Sequence, residues 1–584
     1  VAAKPLSLKR EKSRRATKTG AFTKTVEVLL DHEVAHLDQS FTYGVPEKLF
    51  GSVQVGSIVK VPFNKNELQG VVVQSNEAGD KSVKPILKVV HQFAYSESAI
   101  AFAREVSKRY ATSSIKFLNL MPLLKDGQKS PELQSQNHVL RHFIPESARS
   151  LSDLAERLMK TGGTRLIFAP TQKEASHLLA ALERRLGEQV ISFEAWKKLT
   201  GSERDNRVIV GMRGMIFIQV AELSEMVIFD ESSEHFWDQR SPFWNLRDVA
   251  LLRSRFEEIP ISFISGSPSL ELVRLAETQY LRLEKRAKSF FRRRRFTVAP
   301  QTFHGTVRKG LESGSVLVSV ANKSYSNSLV CKKCNAIPRC KCGFPLKLIQ
   351  KNQALCSVCG VLSSHFRCSE CSGLEFIQIG KGIERYKEEF AKAFPNVPIV
   401  ICTADQDLAI PSSNSIVLST PGVEPRFLRY SALVLLDGVS RVSRATLRAE
   451  EQLRNHWHRL LALTTDDAPV FLTLANSHPI TQSLIANDPY RQSKQALNER
   501  KEAKLPPGFR VIRIKGELLS ALAEKLKNEF EDIELSRVSK NDELVIRVEI
   551  SKAQQFISAL HALQKYRGAS GKDLLSLEID PFDI

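Results

Sequence analysis

The chain has 584 residues, too many for a single hydrophobic core, and its length suggests about three to five domains. Hydrophobic residues at 42% and charged residues at 25% describe a globular protein, and no apolar run is long enough to cross a bilayer. A net charge of +20 points to a polyanionic partner, nucleic acid ahead of an anionic membrane surface, and the basic, non-signal-like start gives a cytoplasmic expectation.

Residues 1–24 are basic with few large apolar side chains, the composition of a disordered arm. From Val26 the segments VEVLL, FTYGVP, VGSIVKVPF and GVVVQ, broken by turn residues, predict a small β-barrel or sandwich within 25–125. HLDQSFTYGVPEKL followed by VGSIVKVPF resembles the opening of the PriA (primosomal protein N′) replication-restart helicase family, whose N-terminal domain captures the 3′ end of a nascent strand at a fork. The resemblance implies stacking faces at Phe41 and Tyr43 and close backbone approach at Gly56, although alternate aromatics in a strand are more often core residues. It also implies an Asp where this chain has Thr42. Residues 88–122 predict a helix with Ser96 as its N-cap. The winged-helix domain that follows in the family is reduced here to KDGQKSPELQSQ.

The family's first motor lobe opens with a strand, a GxxxxGK[ST] loop whose backbone wraps phosphate, and a helix. The matching stretch HVLRHFIPESARSLSDLAERL keeps strand and helix but reads Pro145-Glu146-Ser147-Ala148-Arg149 at the loop, without glycine or lysine. TRLIFAPTQKEASHLLAAL predicts a buried strand and then a helix. EMVIFDESSEHFW keeps Asp230 and Glu231 as vestiges of a Mg²⁺-binding pair, while Ser232 and Ser233 replace the family's Glu-His. SFISGSPSLEL resembles the family's SATPSLE, with Gly266 for Ala and Ser267 for Thr. Between the lobes, Arg292, Arg293, Arg294 and Arg295 lie among Phe290, Phe291 and Phe296, a patch suited to phosphate contact with base stacking or to a solvated linker.

Eight of the nine cysteines form four close pairs: Cys331/Cys334, Cys340/Cys342, Cys356/Cys359 and Cys368/Cys371. A Cys-x-x-Cys turn aims two thiolates at one point, and two turns close a tetrahedral shell, so eight ligands predict two structural Zn²⁺ ions. Disulfides would need an oxidising compartment. Cys340-Lys341-Cys342 is the irregular pair, with His365 a nearby substitute ligand. The resemblance implies nested pairing, the outer pairs on one ion and the inner pairs on the other. Beyond the cluster, FIQIGKGIERYKEEF resembles the family's GxGTERVEEEL, keeping Gly380, Gly382, Glu384 and Arg385. The family's coupling loop is replaced by Ser419-Thr420-Pro421-Gly422-Val423-Glu424-Pro425. Its QVAGRAGR arginine motif is missing, since TLRAEEQLRNHWHRLLALT matches only the helix that leads to it.

Near the C-terminal end, Asn498-Glu499-Arg500 and Leu505-Pro506-Pro507-Gly508-Phe509 resemble the family's ERRELGYPPF, and the rest predicts a β-α-β-α-β module. The expected fold is multidomain α/β. A β-rich domain at 25–125 precedes degenerate RecA-like helicase lobes at 126–285 and 286–480, the second carrying a double zinc insertion at 329–374, and an α+β domain fills 481–584. Removing one γ-phosphate arginine costs roughly 10³–10⁵ in rate in related phosphoryl transfers, and here three phosphate-handling motifs have gone together. The resemblance therefore implies a degenerate actinobacterial type of PriA-family protein, cytoplasmic and nucleoid-associated. Such a protein binds forked or single-stranded DNA, recruits primosome or helicase-loading partners and holds two Zn²⁺. It has no use for ATP or a membrane, and no catalytic residue. The alternatives are a residual ATP-dependent 3′→5′ helicase using Asp230 and Glu231, and a zinc-ribbon RNA-binding protein.

Overall fold

The computed structural model describes residues 20, 22–32, 34–77, 82–125, 139–147, 149–284, 294–298, 302–321, 328–334, 336–340, 346–350, 353–356, 361–363, 366–368, 371–379, 382–404, 414–426, 429–444, 446–530, 533–538 and 543–583. The expected basic arm lies outside these apart from residues 20 and 22–24, and Arg292, Arg293, Cys342, Cys359 and His365 lie outside them altogether.

Five antiparallel strands open the chain, in spatial order Ser40–Gly44, Lys24–Leu30, Asn66–Glu77, Ile58–Phe63 and Lys88–His91. Alternation sends Val26, Val28 and Leu30 to one face, where they meet Val59, Val61 and Val72. The helix Glu97–Tyr110 follows, and the Ser96 hydroxyl accepts the Ala99 amide at 3.1 Å as the sequence predicts. Its buried residues join a core shared with the next unit: Phe102 packs near Phe217, and the Gln219 carboxamide accepts the Ser96 amide at 2.9 Å.

Two parallel sheets come next. The first has seven strands, in order Arg282–Leu283, Arg141–Pro145, Ile261–Ser265, Leu223–Phe229, Thr164–Phe168, Val208–Gly211 and Val190–Ser192. The second has six, in order Phe296–Val298, Val470–Leu472, Ala432–Leu435, Val316–Ser319, Ile416–Ser419 and Ile399–Cys402. Their central strands read as unbroken apolar runs such as LIF, VIV and IVL because helices cover both faces. A five-stranded antiparallel sheet carrying the cysteines is inserted in the second lobe between Val316–Ser319 and Ile399–Cys402.

The C-terminal unit has one strand more than the sequence suggests. Ile533–Val538 (IELSRV) pairs with Glu543–Glu549, making a β-α-β-β-α-β fold whose antiparallel sheet runs Ile533–Val538, Glu543–Glu549, Phe509–Lys515, Ser576–Ile579. Its alternation of apolar and polar residues is the pattern of a half-buried strand. All four units meet at one ionic junction. Arg109 of the N-terminal unit binds Asp248 at 2.6 Å, Arg448 of the second lobe binds Glu271 at 2.5 Å, and Arg510 of the C-terminal unit lies 2.6 Å from Asp580. A cavity of about 300 Å³ lies there; in its lining Arg109, Arg247, Arg448 and Arg510 pair with Asp248, Glu271 and Asp580, and Arg255 and Arg274 also line it. Burial pushes the Asp248 carboxyl up, but Arg109 and Arg247 outweigh it and hold it at about 2. Among the described residues no helix is long and apolar enough to cross a membrane.

Candidate functional site

Parallel α/β sheets place their sites at the carboxyl ends of the strands. In the first lobe three strand ends converge: the turn at Glu146 after Arg141–Pro145, Asp230 and Glu231 after Leu223–Phe229, and Gly266–Ser269 after Ile261–Ser265. Glu174, in the first turn of helix Gln172–Leu186, completes the rim. The helix Ala449–Ala462 of the second lobe lies across these ends, with charged and polar residues buried all round it. Only a helix held between two bodies can bury such a surface.

Arg459 is the centre of the contact. Its guanidinium donates to three carboxylates: Nη1 to Asp230 Oδ2 at 2.5 Å, Nη2 to Glu174 Oε1 at 2.8 Å and Nε to Glu146 Oε2 at 3.2 Å. Arg426 adds a second cation, 2.6 Å from Glu174 and 3.7 Å from Glu146. One turn before Arg459, the Asn455 carboxamide oxygen accepts the amides of Gly266 at 2.9 Å and Ser267 at 3.2 Å, while its nitrogen donates to Asp230 and to Ser232. Gly266 is required by this approach, because a methyl group there would lie 2.1 Å from the Asn455 carbonyl oxygen. Burial, opposed by Arg459 and reinforced by Asp230, Glu424 and Glu146, pushes Glu174 up from the ordinary carboxylate range. Burial lowers Arg459, but Asp230, Glu174 and Glu146 more than reverse this and keep it charged.

Both acids at this strand end are engaged within the chain. Asp230 is tied to Arg459 and Asn455. Glu231, wholly buried, accepts the Ser269 amide at 2.8 Å and lies 3.5 Å from Arg247. Burial, only partly offset by Arg247, pushes its carboxyl up to about 7. Where a phosphate-binding loop would present amides at a helix N-terminus, the Glu146 carboxylate faces the cleft, a charge that repels phosphate. Beside the cluster a cavity of about 70 Å³ is lined by Glu146, Ser147, Ser150, Phe229, Arg426 and Arg429. Small-molecule sites commonly measure about 300–1,000 Å³.

In the inserted sheet, Cys331, Cys334, Cys368 and Cys371 converge, all four sulfurs within 4.8 Å of one another. Cys331 to Cys371 and Cys334 to Cys368 are each 3.5 Å. A tetrahedral thiolate site with metal–sulfur bonds of about 2.3 Å has sulfurs about 3.8 Å apart, so this set fits a metal ion. These are the outer pairs of the nested scheme. Gly373 makes room, since a methyl group there would lie 3.1 Å from the Cys331 sulfur and 3.3 Å from that of Cys371. Hydrogen bonds from the Cys334 and Lys333 amides hold the Cys331 thiol below its ordinary value. Of the inner pairs, Cys340 and Cys356 border the module's apolar core with Leu329, Leu346 and Ala354.

Several expected DNA contacts are placed otherwise. Tyr43 is 4% exposed, its hydroxyl donates to the Pro62 carbonyl at 3.3 Å, and no ring face is left for a base. Gly56 has φ of +88° and its added methyl would lie 1.7 Å from the Tyr95 carbonyl oxygen, so the close approach it permits is to the protein's own backbone. Arg294 is spent on the end of the Ala449–Ala462 helix, donating to the carbonyls of Leu461 at 3.3 Å and Thr465 at 3.2 Å. Arg295 is exposed. Phe41 keeps a half-exposed ring, edge-on to Phe63 at 5.3 Å, and the neighbouring Thr42 hydroxyl donates to Glu27 at 2.7 Å. The cleft residues Glu146, Glu174, Arg426, Asn455 and Arg459 were not singled out from the sequence. The run Asn455-His456-Trp457-His458-Arg459, polar where an amphipathic helix needs an apolar stripe, was the available signal.

A family model described as the 3′DNA-binding domain (3′BD) of PriA matches residues 27–122. The chain is 26% identical to the "Probable replication restart protein PriA" of Mycobacterium bovis over 563 residues, covering 83% of this chain and 85% of that one. The protein of the same name from Mycobacterium leprae is 26% identical over 411 residues, 63% of this chain and 62% of its own length. The Bacillus subtilis replication restart protein PriA is 21% identical over 284 residues, 43% and 34% of the two chains. Among solved structures, the NS3-like helicase from Alongshan virus matches with a TM-score of 0.30 at 11% identity over 59% of this chain and 74% of its own, a likeness on which no argument rests. Fold and site define a two-lobed α/β protein whose N-terminal unit matches a 3′ DNA-binding domain and whose insertion carries four cysteines that could hold a metal ion. Over most of its length the chain is similar to replication restart proteins PriA, and residues 27–122 match that family's 3′ DNA-binding domain.

Proposed function

We propose that this chain is a replication restart protein that binds forked or single-stranded DNA and recruits other primosome or helicase-loading proteins without hydrolysing ATP. The observation that carries the reading is the Arg459 guanidinium lying between Asp230, Glu174 and Glu146, where a motor would need an open phosphate and Mg²⁺ site. DNA contact is assigned to the 25–125 unit, with Phe41 as a stacking face, and to Arg295 beside Arg292 and Arg293. The insertion at 329–374 holds two Zn²⁺, one on Cys331, Cys334, Cys368 and Cys371 and the other on Cys340, Cys342, Cys356 and Cys359. It acts as a binding platform in the cytoplasm, at the nucleoid. The lobes at 126–285 and 286–480 and the unit at 481–584 carry these surfaces.

The test is ATP hydrolysis by the full chain with and without a model fork, together with binding of that fork against structured RNA at matched salt. Fork binding that RNA does not displace, with no hydrolysis above background, is the expected result. DNA-stimulated hydrolysis lost in Asp230→Ala replaces the reading with a residual helicase, and preference for RNA replaces it with an RNA binder.

A further inference from the structure

The polar contact between the lobes has an asymmetry. The first lobe supplies the three carboxylates Glu146, Glu174 and Asp230, from three separate elements, and the second supplies the cations and the carboxamide: Arg459, Arg426 and Asn455. Three acids gathered on one rim repel one another unless a cation sits among them. In hinged cleft proteins a bound ligand commonly supplies the missing interaction and closes the cleft. Here a side chain of the facing lobe supplies it. The same helix carries Glu451, whose carboxylate accepts the Leu270 amide at 3.1 Å, and Arg448, which binds Glu271 at 2.5 and 3.2 Å.

The geometry points to Arg459 as a resident pseudo-ligand that fixes the two lobes in one closed arrangement, independent of nucleotide. Each bond named above crosses the lobe boundary, and a buried ionic cluster of this kind is satisfied in one relative orientation only. Opening the cleft would leave three carboxylates facing one another and two guanidinium groups without their acids. The Gly266–Asn455 backbone approach removes the remaining play, because the helix touches the strand-end loop with no side chain between them. Lobe closure is therefore a permanent property of this chain, and the lobes act as one rigid mount for the N-terminal, zinc-binding and C-terminal units. The inference concerns lobe movement, and it stands or falls separately from DNA or partner binding.

Amide hydrogen exchange reads it directly. The amides of Gly266, Ser267 and Leu270 are held by the second lobe, through Asn455 and Glu451, whereas the Ser269 amide is held within the first lobe by Glu231. In the unmodified full chain the first three exchange slowly, and Mg²⁺ with ATP leaves their rates unchanged. Arg459→Ala speeds their exchange about tenfold or more while Ser269 and helix Glu97–Tyr110 keep their protection, which marks a folded chain with an opened cleft. Arg459→Lys, with one charge and no fork, falls between. Fast exchange of these amides in the unmodified chain, added protection on supplying ATP, or unchanged protection in a folded Arg459→Ala chain would each overturn the inference. Should Arg459→Ala fail to fold, the nucleotide arm on the unmodified chain still decides it.

Discussion

The cysteine module and the inter-lobe cleft are both sites assembled from distant parts of the chain, yet they are built in opposite ways. In the module four thiols face one another, with Gly373 leaving room for the sulfurs of Cys331 and Cys371. In the cleft the acids of one lobe face cations of the other, and the rim is occupied by Arg459 and Arg426. The lesson is physical. Three acids on one rim do not stay as an unpaired set, because buried charge is costly. Arg459 and Arg426 of the facing lobe fill the space between them, and the filled site is a structural joint.

The sharpest contrast comes from removing one element of each. Cys368→Ser takes away one of the four thiols that could hold a metal ion. The variant is expected to lose the metal held at this cluster and to gain protease cleavage within 329–374, read by metal analysis and digestion. Structural zinc sites are worth about 10–16 kcal/mol in small domains, the largest effect expected here. In the cleft, Gly266→Ala forces the Ala449–Ala462 helix off the strand ends and is expected to cost about 1–3 kcal/mol, seen as a lowered Tm with metal content unchanged. A Gly266→Ala chain as stable as its parent would mean the lobes are not pressed together there.

The ionic junction of the four units sharpens the comparison through pH. Asp248 has a folded value of about 2 against 3.8 unperturbed, so its stabilisation is full above pH 3.8 and is lost as pH falls through about 2. The difference amounts to about 2 kcal/mol. Asp248→Asn is expected to flatten that part of the acid-unfolding curve. The smallest effect belongs to the surface: Arg295→Ala should lower the slope of log affinity for DNA against log salt by about 0.7–0.9 and leave folding untouched.

What the sequence made legible was local. The Ser96 cap, the strand and helix around Glu146, and the outer cysteine pairs each declare themselves within a few residues, and the structure has them there. Tyr43, Gly56 and Arg294 fit two descriptions equally well until the packing is known, since an alternating aromatic, a turn glycine and an arginine in a basic run look alike on the surface and in the core. Arg459 was illegible for another reason. Its partners lie between 229 and 313 residues away, and nothing within its own helix names them. The deviation at Gly266, visible in the sequence as a missing methyl, acquires its cause only once Asn455 is placed against it.

The most direct test of the central claim is equilibrium binding of a fluorescent ATP analogue to the full chain with Mg²⁺, with and without fork DNA. The occupied cleft predicts no saturable binding in either condition while the fork itself binds. Saturable binding that Asp230→Ala abolishes would contradict the account and show that Arg459 yields its place to nucleotide.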